Sequence, residues 1–358
     1  MRGRPSICDT IMLMTDLWDY LKETDKPIAL YGTGNGADKI IAKLEEDGTF
    51  GKVKGIFASS GFVRDRCFHG IKVESYEAVK DRIGDMIVLL CFGSSLPEVV
   101  ANVDRIAGEN ELYAPQVPVY GTDIFDEAFY RANRDMIEEA RSLMADDLSR
   151  KTFDNTVAYY LSGDIKLLKS CEVITSEEYS LTSVPDGSCY VDLGAYTGDT
   201  VIEYTGTFPE ITEVIAAEPD RKNYMKLISN TQHMDNVTCL NVLISDVSGD
   251  THINLGKGRG VHEQSSGTVI RSETVDSILN GKKADLIKYD VEGNELKALK
   301  GSEKTIKGYK PVLHVACYHR SEDVFELPLY ITSLRDDYKI YMRHRPHLLN
   351  WDTQFICV

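Results

Sequence analysis

Short apolar runs alternate with stretches of helical periodicity along nearly the whole chain, which is the pattern of parallel α/β folding. Two of these runs lead straight into a glycine-rich turn and then a helical stretch. The first is Ile28-Ala29-Leu30-Tyr31 followed by Gly32-Thr33-Gly34-Asn35-Gly36. The second is Cys189-Tyr190-Val191-Asp192-Leu193 followed by Gly194-Ala195-Tyr196-Thr197-Gly198. Two such openings predict two doubly wound, Rossmann-like units. The first continues through apolar runs at 53–57, 70–73 and 86–90 and ends near Tyr120. A long amphipathic helix is predicted next, with Phe125, Phe129, Met136, Ile137, Ala140, Met144 and Leu148 approximating one face. It reads as a connector that packs on one or both units. The second unit offers seven strand candidates, at 189–193, 214–217, 238–243, 286–290, 312–317, 339–342 and 354–358. Helical segments are expected between the first five. Only a short polar loop parts the last two, which predicts a hairpin. The predicted division is 1–124 for the first unit, 125–170 for the connector and 171–358 for the second unit.

Composition narrows the function. A chain of 358 residues can bury two cores. A formal charge of −16 argues against a nucleic-acid binder, which needs a basic face to neutralise phosphates. The eight cysteines form no C-x-x-C pair, and most sit in apolar runs such as Ile87-Val88-Leu89-Leu90-Cys91. They read as small buried hydrophobes in a reducing compartment, not as a zinc site or a disulfide framework. The apolar run Ile11-Met12-Leu13-Met14 is too brief for a signal sequence, and no stretch approaches a membrane span. A cytoplasmic protein without a membrane partner is expected.

In an open α/β sheet the ligand lies outside the carboxyl ends of the strands. In the second unit those ends are acidic. Asp192, Gly194, Gly198 and Asp199 follow the first strand, Glu218 ends the second, Ser245 and Asp246 follow the third, and Asp290 and Glu292 end the fourth. Carboxylates beside a pyrophosphate would repel it, and bulky Tyr196 stands in the turn, so a dinucleotide suits this edge poorly. S-adenosyl-L-methionine carries a sulfonium and an amino group but no phosphate, and acidic surroundings favour it. Glu218 suits a bidentate hydrogen bond to ribose hydroxyls, which both cofactors have.

Three segments, 191–200 (Val191-Asp192-Leu193-Gly194-Ala195-Tyr196-Thr197-Gly198-Asp199-Thr200), Glu218-Pro219-Asp220 and 287–295 (Ile287-Lys288-Tyr289-Asp290-Val291-Glu292-Gly293-Asn294-Glu295), resemble FkbM-type methyltransferases. So do Val275-Asp276-Ser277-Ile278 and Tyr318-His319-Arg320-Ser321-Glu322-Asp323. The likeness runs from about Asp186 to the end of the chain. It implies a class I methyltransferase fold, S-adenosyl-L-methionine as donor and, usually, O-methylation of a sugar or other small polar acceptor. By position it implies that Asp192, Gly194, Ala195, Tyr196, Gly198 and Asp199 form the methionine side of the cofactor site. It puts Glu218 on the ribose, Ser245 and Asp246 near the adenine, and Asp290 and Glu292 beside the transferred methyl. His314 departs from the family's apolar preference and reads as a strand histidine satisfied by its neighbours.

Methyl transfer to an alcohol needs the oxygen held in line and a group that takes its proton. His319 is the first candidate base, because it follows the fifth strand in a polar run and an ordinary imidazole titrates near neutrality. His344 is the second. Asp290, Glu292 and a histidine could ligate a divalent metal, but no fixed-spacing motif supports one and no metal is expected. The first unit resembles Rossmann-like domains attached to sugar-modifying enzymes. It could bind a sugar nucleotide, with Arg64 and Arg66 near a phosphate, support a homodimer, or be a relic. Two competing functions are a non-catalytic double-Rossmann sensor or scaffold, and a nicotinamide-dependent oxidoreductase using the first unit.

Overall fold

The computed structural model describes residues 15–59, 61, 66–255, 261–263 and 268–358. Cys8, the run 11–14, Ser60 and Arg64 lie outside them.

The first sheet is built from β1 (Ile28–Tyr31), β2 (Val53–Phe57), β3 (Cys67–Phe68), β4 (Ile71–Glu74), β5 (Ile87–Leu90) and β6 (Glu111–Tyr113), in the order β3-β4-β2-β1-β5-β6. All pairings are parallel except β3 with β4. β1 and β5 are buried at every position, which is why they read as unbroken apolar runs. β3 and β6 were not expected from the sequence. Each is very short, so neither produces a periodicity.

The second sheet contains β7 (Ser188–Leu193), β8 (Ile211–Ala217), β9 (Val237–Leu240), β14 (Leu286–Tyr289), β15 (Val312–Ala316), β16 (Ile340–His344) and β17 (Thr353–Cys357). Its order is β16-β17-β15-β14-β7-β8-β9. β17 runs antiparallel to both β15 and β16, and the other pairs are parallel. This is the expected set of parallel βα units closed by an antiparallel pair.

The third strand candidate needs correction. The run 238–243 splits, because β9 stops at Leu240 while Leu243–Ile244 pairs in a separate sheet as β10. That sheet also holds β11 (Gly249–Leu255), β12 (Val261–Glu263) and β13 (Thr268–Glu273), in the order β10-β13-β11-β12. A helix, Val275–Leu279, does separate the third and fourth strands as expected, but this small sheet, which the sequence reading did not anticipate, precedes it. The insert is rich in polar β-formers, as in Thr268-Val269-Ile270-Arg271-Ser272, and makes an antiparallel ribbon.

The single connector helix is likewise replaced by two, Glu127–Ser142 and Asp147–Ser162. Asp146 caps the second by accepting from Ser149 N–H, and the Ala145 N–H donates to the Ile340 carbonyl 2.8 Å away. The chain leaves the helix there to meet the edge strand β16. Met136, expected on the buried face, is 40% exposed. Gly163, left-handed at φ 66°, ends the second helix.

One apolar core runs from Tyr31 and Phe57 through Phe153 and Tyr160 to Leu313 and Phe355, so the connector joins the cores of both units. Cross-unit hydrogen bonds support it. Tyr120 N–H donates to the His319 carbonyl at 2.8 Å, and Leu348 N–H to the Ser94 carbonyl at 3.1 Å. Among the described residues every cysteine is a free thiol, with Cys67 exposed, and no helix is long and apolar enough to cross a membrane.

Candidate active site

The carboxyl ends of β7, β8 and β14 open on a cavity of about 470 Å³, within the ordinary range for small-molecule sites. Gly194 shapes its floor. With φ at +83° and the Asp290 carbonyl packed where a Cβ would stand, only glycine lets the β7 turn lie against the β14 turn. Tyr196 and Glu292 hold positive φ values of 45° and 55° without being glycine, and both line this cavity. Such strain persists where surrounding structure enforces it, and it clusters at functional sites.

Glu218 is 5% exposed and lines the cavity. Its carboxylate accepts from Tyr196 N–H at 3.0 Å and from Asp220 N–H at 2.8 Å, which fixes its orientation. Burial raises its pKa to about 7, with the Asp220 and Glu292 charges adding to the shift and the two backbone donors opposing it.

Not every expected site residue reaches the cavity. Gly194, Tyr196, Asp199, Glu218, Asp290 and Glu292 line it. Asp192 is fully buried behind the wall, where it accepts from Thr200 Oγ1 at 2.6 Å and meets Lys288 Nζ at 3.4 Å. Ala195 is buried in the core of the second unit, and Gly198 packs on Leu227 and Thr231. Ser245 is buried and donates to Asp246 at 3.1 Å; Asp246 is exposed. Neither lines the cavity, whose wall there is Leu243 and Ile244.

His319 is 1% exposed and stands among three carboxylates. Nδ1 lies 2.9 Å from Glu295 Oε1, a charge contact lying off the direction of an aligned hydrogen bond. Nε2 lies 3.5 Å from Glu292 Oε2 and 3.6 Å from Asp290 Oδ1. Burial pulls the imidazole pKa down, but Glu295, Glu292 and Asp290 outweigh it and lift it to about 10. An ordinary near-neutral imidazole was expected; the neighbours make it an imidazolium at pH 7. Asp290 moves the other way. Burial pushes its carboxyl up, yet Lys288 and His319 bring it below the usual range.

His344 does not reach the site. It is fully buried, shares a 2.8 Å hydrogen bond between Nδ1 and Thr353 Oγ1, and lines none of the cavities described here. Burial lowers its pKa to about 3, so it stays neutral. His314 is satisfied as expected, by Thr182 Oγ1 and Tyr204 Oη, each at 2.7 Å.

Three participants carried no role in the sequence reading. Lys288, buried on β14, bridges Asp192 and Asp290 at 3.4 Å each. A lysine inside the apolar run Leu286-Ile287-Lys288-Tyr289 was its signal. Glu295 is fully buried and accepts from Val291 N–H at 2.8 Å and Gly293 N–H at 3.0 Å, bracing the turn that carries Glu292. Tyr318 Oη donates to Asp290 Oδ1 at 3.2 Å.

Residues 192–339 match the family model described as the methyltransferase FkbM domain. Among solved structures, the chain is similar to methyltransferase FkbM from Methylobacillus flagellatus KT, at 20% identity and a TM-score of 0.69, over 99% of this chain and 94% of that one. The fold likeness thus spans both units. An rRNA methylase from Streptococcus thermophilus aligns at 12% identity and a TM-score of 0.34, over 51% of this chain and 92% of its own. Aeropyrum pernix fibrillarin, solved with natively bound S-adenosyl-L-methionine, aligns at 13% and 0.32, over 49% and 69%. No curated protein matches the chain. The family match coincides with the strand ends that build the cavity, so the stretch similar to the methyltransferase FkbM domain is the one that carries the site.

Proposed function

We propose that this protein is an S-adenosyl-L-methionine-dependent methyltransferase that methylates a hydroxyl group on a sugar or other small polar metabolite. The observation that carries the reading is Glu218, a buried carboxylate held by two backbone donors at the end of β8 and facing a cavity rimmed by Asp199, Asp290 and Glu292. That acidic rim favours a cationic ligand and disfavours a pyrophosphate. The residues present therefore fit this cofactor. Glu218 would hold the ribose, Leu243 and Ile244 would flank the adenine, and the Gly194 turn would admit the methionine portion.

When bound, the cofactor supplies a methyl carbon activated by its sulfonium. The protein's share is placing the acceptor oxygen and removing its proton. With His319 an imidazolium, the proton acceptor shifts to a carboxylate, and Glu292 is placed for it beside His319 Nε2. His319 then acts as a hydrogen-bond donor that orients the oxygen and Glu292 together.

Calorimetric titration with S-adenosylhomocysteine tests the cofactor assignment. Glu218→Ala should weaken binding at least tenfold, because charge-assisted hydrogen bonds to one sugar are lost. Unchanged affinity would move the ribose elsewhere, and NAD binding in place of S-adenosylhomocysteine would favour the oxidoreductase. The pH dependence has a definite sign. Ribose hydroxyls donate to the ionised carboxylate, so binding pulls the Glu218 pKa below its free value of about 7. Wild-type affinity should therefore rise between pH 6 and pH 8, with proton release on binding at the acid end, and Glu218→Gln should flatten that dependence.

A further inference from the structure

A second cavity, of about 370 Å³, lies between the two units. One side comes from the first unit, at the carboxyl ends of β1 and β5, where Gly34, Asn35, Phe92 and Gly93 stand. The other comes from the methyltransferase unit, through Glu292, Tyr318 and His319. Glu292 and Tyr318 line both this cavity and the one assigned to the cofactor, so the two spaces meet at a shared wall. Gly293 sets the closeness of that wall, since Tyr120 from the first unit packs where its Cβ would be. The remaining lining is mainly apolar, with Ile40, Val117, Leu349 and Trp351 prominent. Polar and charged groups come from both sides, Glu292, Tyr318 and His319 from the methyltransferase unit and Asn35, Lys39 and Gln116 from the first, and the Lys39 amine already donates to the Val119 carbonyl at 2.9 Å.

We propose that this inter-unit cavity is the acceptor site, and that it takes a ring-sized sugar or other small polar alcohol that lays its apolar ring face on the lining while its hydroxyl points to Glu292 and His319. The first unit is then the acceptor-recognition half of the enzyme. The inference rests on the methyltransferase reading above, because the hydroxyl must meet the methyl group across the shared wall. The apolar lining favours a ring face over a polyanion, and the carboxylates at the reacting end disfavour an anionic group there.

The test uses the full chain with 2-naphthol and cyclohexanol as probes, read by saturation-transfer NMR, alongside calorimetry with S-adenosylhomocysteine. A second readout comes from Trp351, the only tryptophan left in a Trp18→Phe protein. Cyclohexanol, which does not absorb there, should shift its emission. Val117→Phe fills the cavity from a half-buried loop position, and Asn35→Tyr does so from an exposed one, so that one folded variant is available and Trp351 stays the sole tryptophan. Probe signals should fall at least fivefold in the plugged proteins, with S-adenosylhomocysteine affinity changed less than twofold. Probe signals that ignore both plugs, or no probe signal in the wild type, would overturn the acceptor assignment. Loss of S-adenosylhomocysteine binding in the wild type with the plug-sensitive probe signal intact would instead remove the methyltransferase reading and leave the cavity as a binding site of another kind.

Discussion

Lys288→Met is expected to destabilise the fold by about 3–5 kcal/mol, the usual cost of removing one partner from a buried ion pair. Lys288 sits between Asp192, which is fully buried, and Asp290. Methionine keeps the volume but leaves both carboxylates without their cation. Thr200 Oγ1 would still serve Asp192, and Tyr318 Oη and His319 would still face Asp290. The pH dependence follows from signs. Burial lowers the lysine, but Asp192 and Asp290 raise it above its usual range, so its stabilisation is complete at neutral pH and is lost only as pH climbs through that raised value. In the variant the Asp290 carboxyl, pushed up by burial and no longer lowered by Lys288, should titrate higher than in the wild type, which penalises its ionised form as pH rises. Chemical denaturation should therefore show a larger gap between wild type and variant at pH 8 than at pH 5. A gap under about 1 kcal/mol at pH 8 would mean that water or rearranged neighbours already serve these carboxylates.

The second large effect concerns turnover. With an identified acceptor, His319→Ala should lower the turnover rate by roughly 10²–10⁴, the span typical of one acid–base group. S-adenosylhomocysteine affinity should change little, because His319 lines the inter-unit cavity and not the cofactor cavity. The pH profile separates a donor from a base. A base with an ordinary imidazole pKa would give wild-type turnover an acid limb near pH 6.5 that disappears in the variant. With its pKa lifted to about 10, His319 should contribute no such limb, and turnover should hold until pH approaches that value and then fall as the imidazolium loses its proton. An acid limb near pH 6.5 abolished by His319→Ala would restore the base. Removing the imidazolium also leaves Glu295, fully buried, facing one positive charge fewer, so a stability loss should accompany the kinetic one. His319→Gln keeps a hydrogen-bond donor and should recover part of the turnover.

Much of the architecture was legible because the signals are local. A run buried on both faces, such as 28–31, is apolar throughout, and a glycine turn directly after it announces a strand, a sharp bend and a helix. The acidic strand ends were legible for the same reason: Glu218, Asp290 and Glu292 each follow their strand in the chain. What failed also has physical causes. The helix predicted through 125–148 continued past its true break because periodicity ignores the pull of the β16 edge, which draws the Ala145 N–H to the Ile340 carbonyl. The run 238–243 read as one strand although its two ends pair in different sheets, and pairing partners are not written in a strand's own residues.

By itself the sequence determined two α/β units, the order of the motifs in the second, and the sign of the charge at its ligand edge, since each depends on residue type and near-neighbour spacing. Tertiary structure decided which of those residues face the cavity. Asp192 and Ala195 lie within a few residues of Tyr196 and Asp199, yet the first pair is buried and the second is exposed, because the turn reverses and one side meets the core. It also decided protonation. His319 and His344 look alike in sequence, but three carboxylates raise one to about 10, while burial, with His347 adding to it, lowers the other to about 3. Finally, it brought Trp351 and Asn35, far apart in the chain, to one inter-unit cavity. Electrostatic fields and cavities depend on distances through space, and only the folded chain sets those distances.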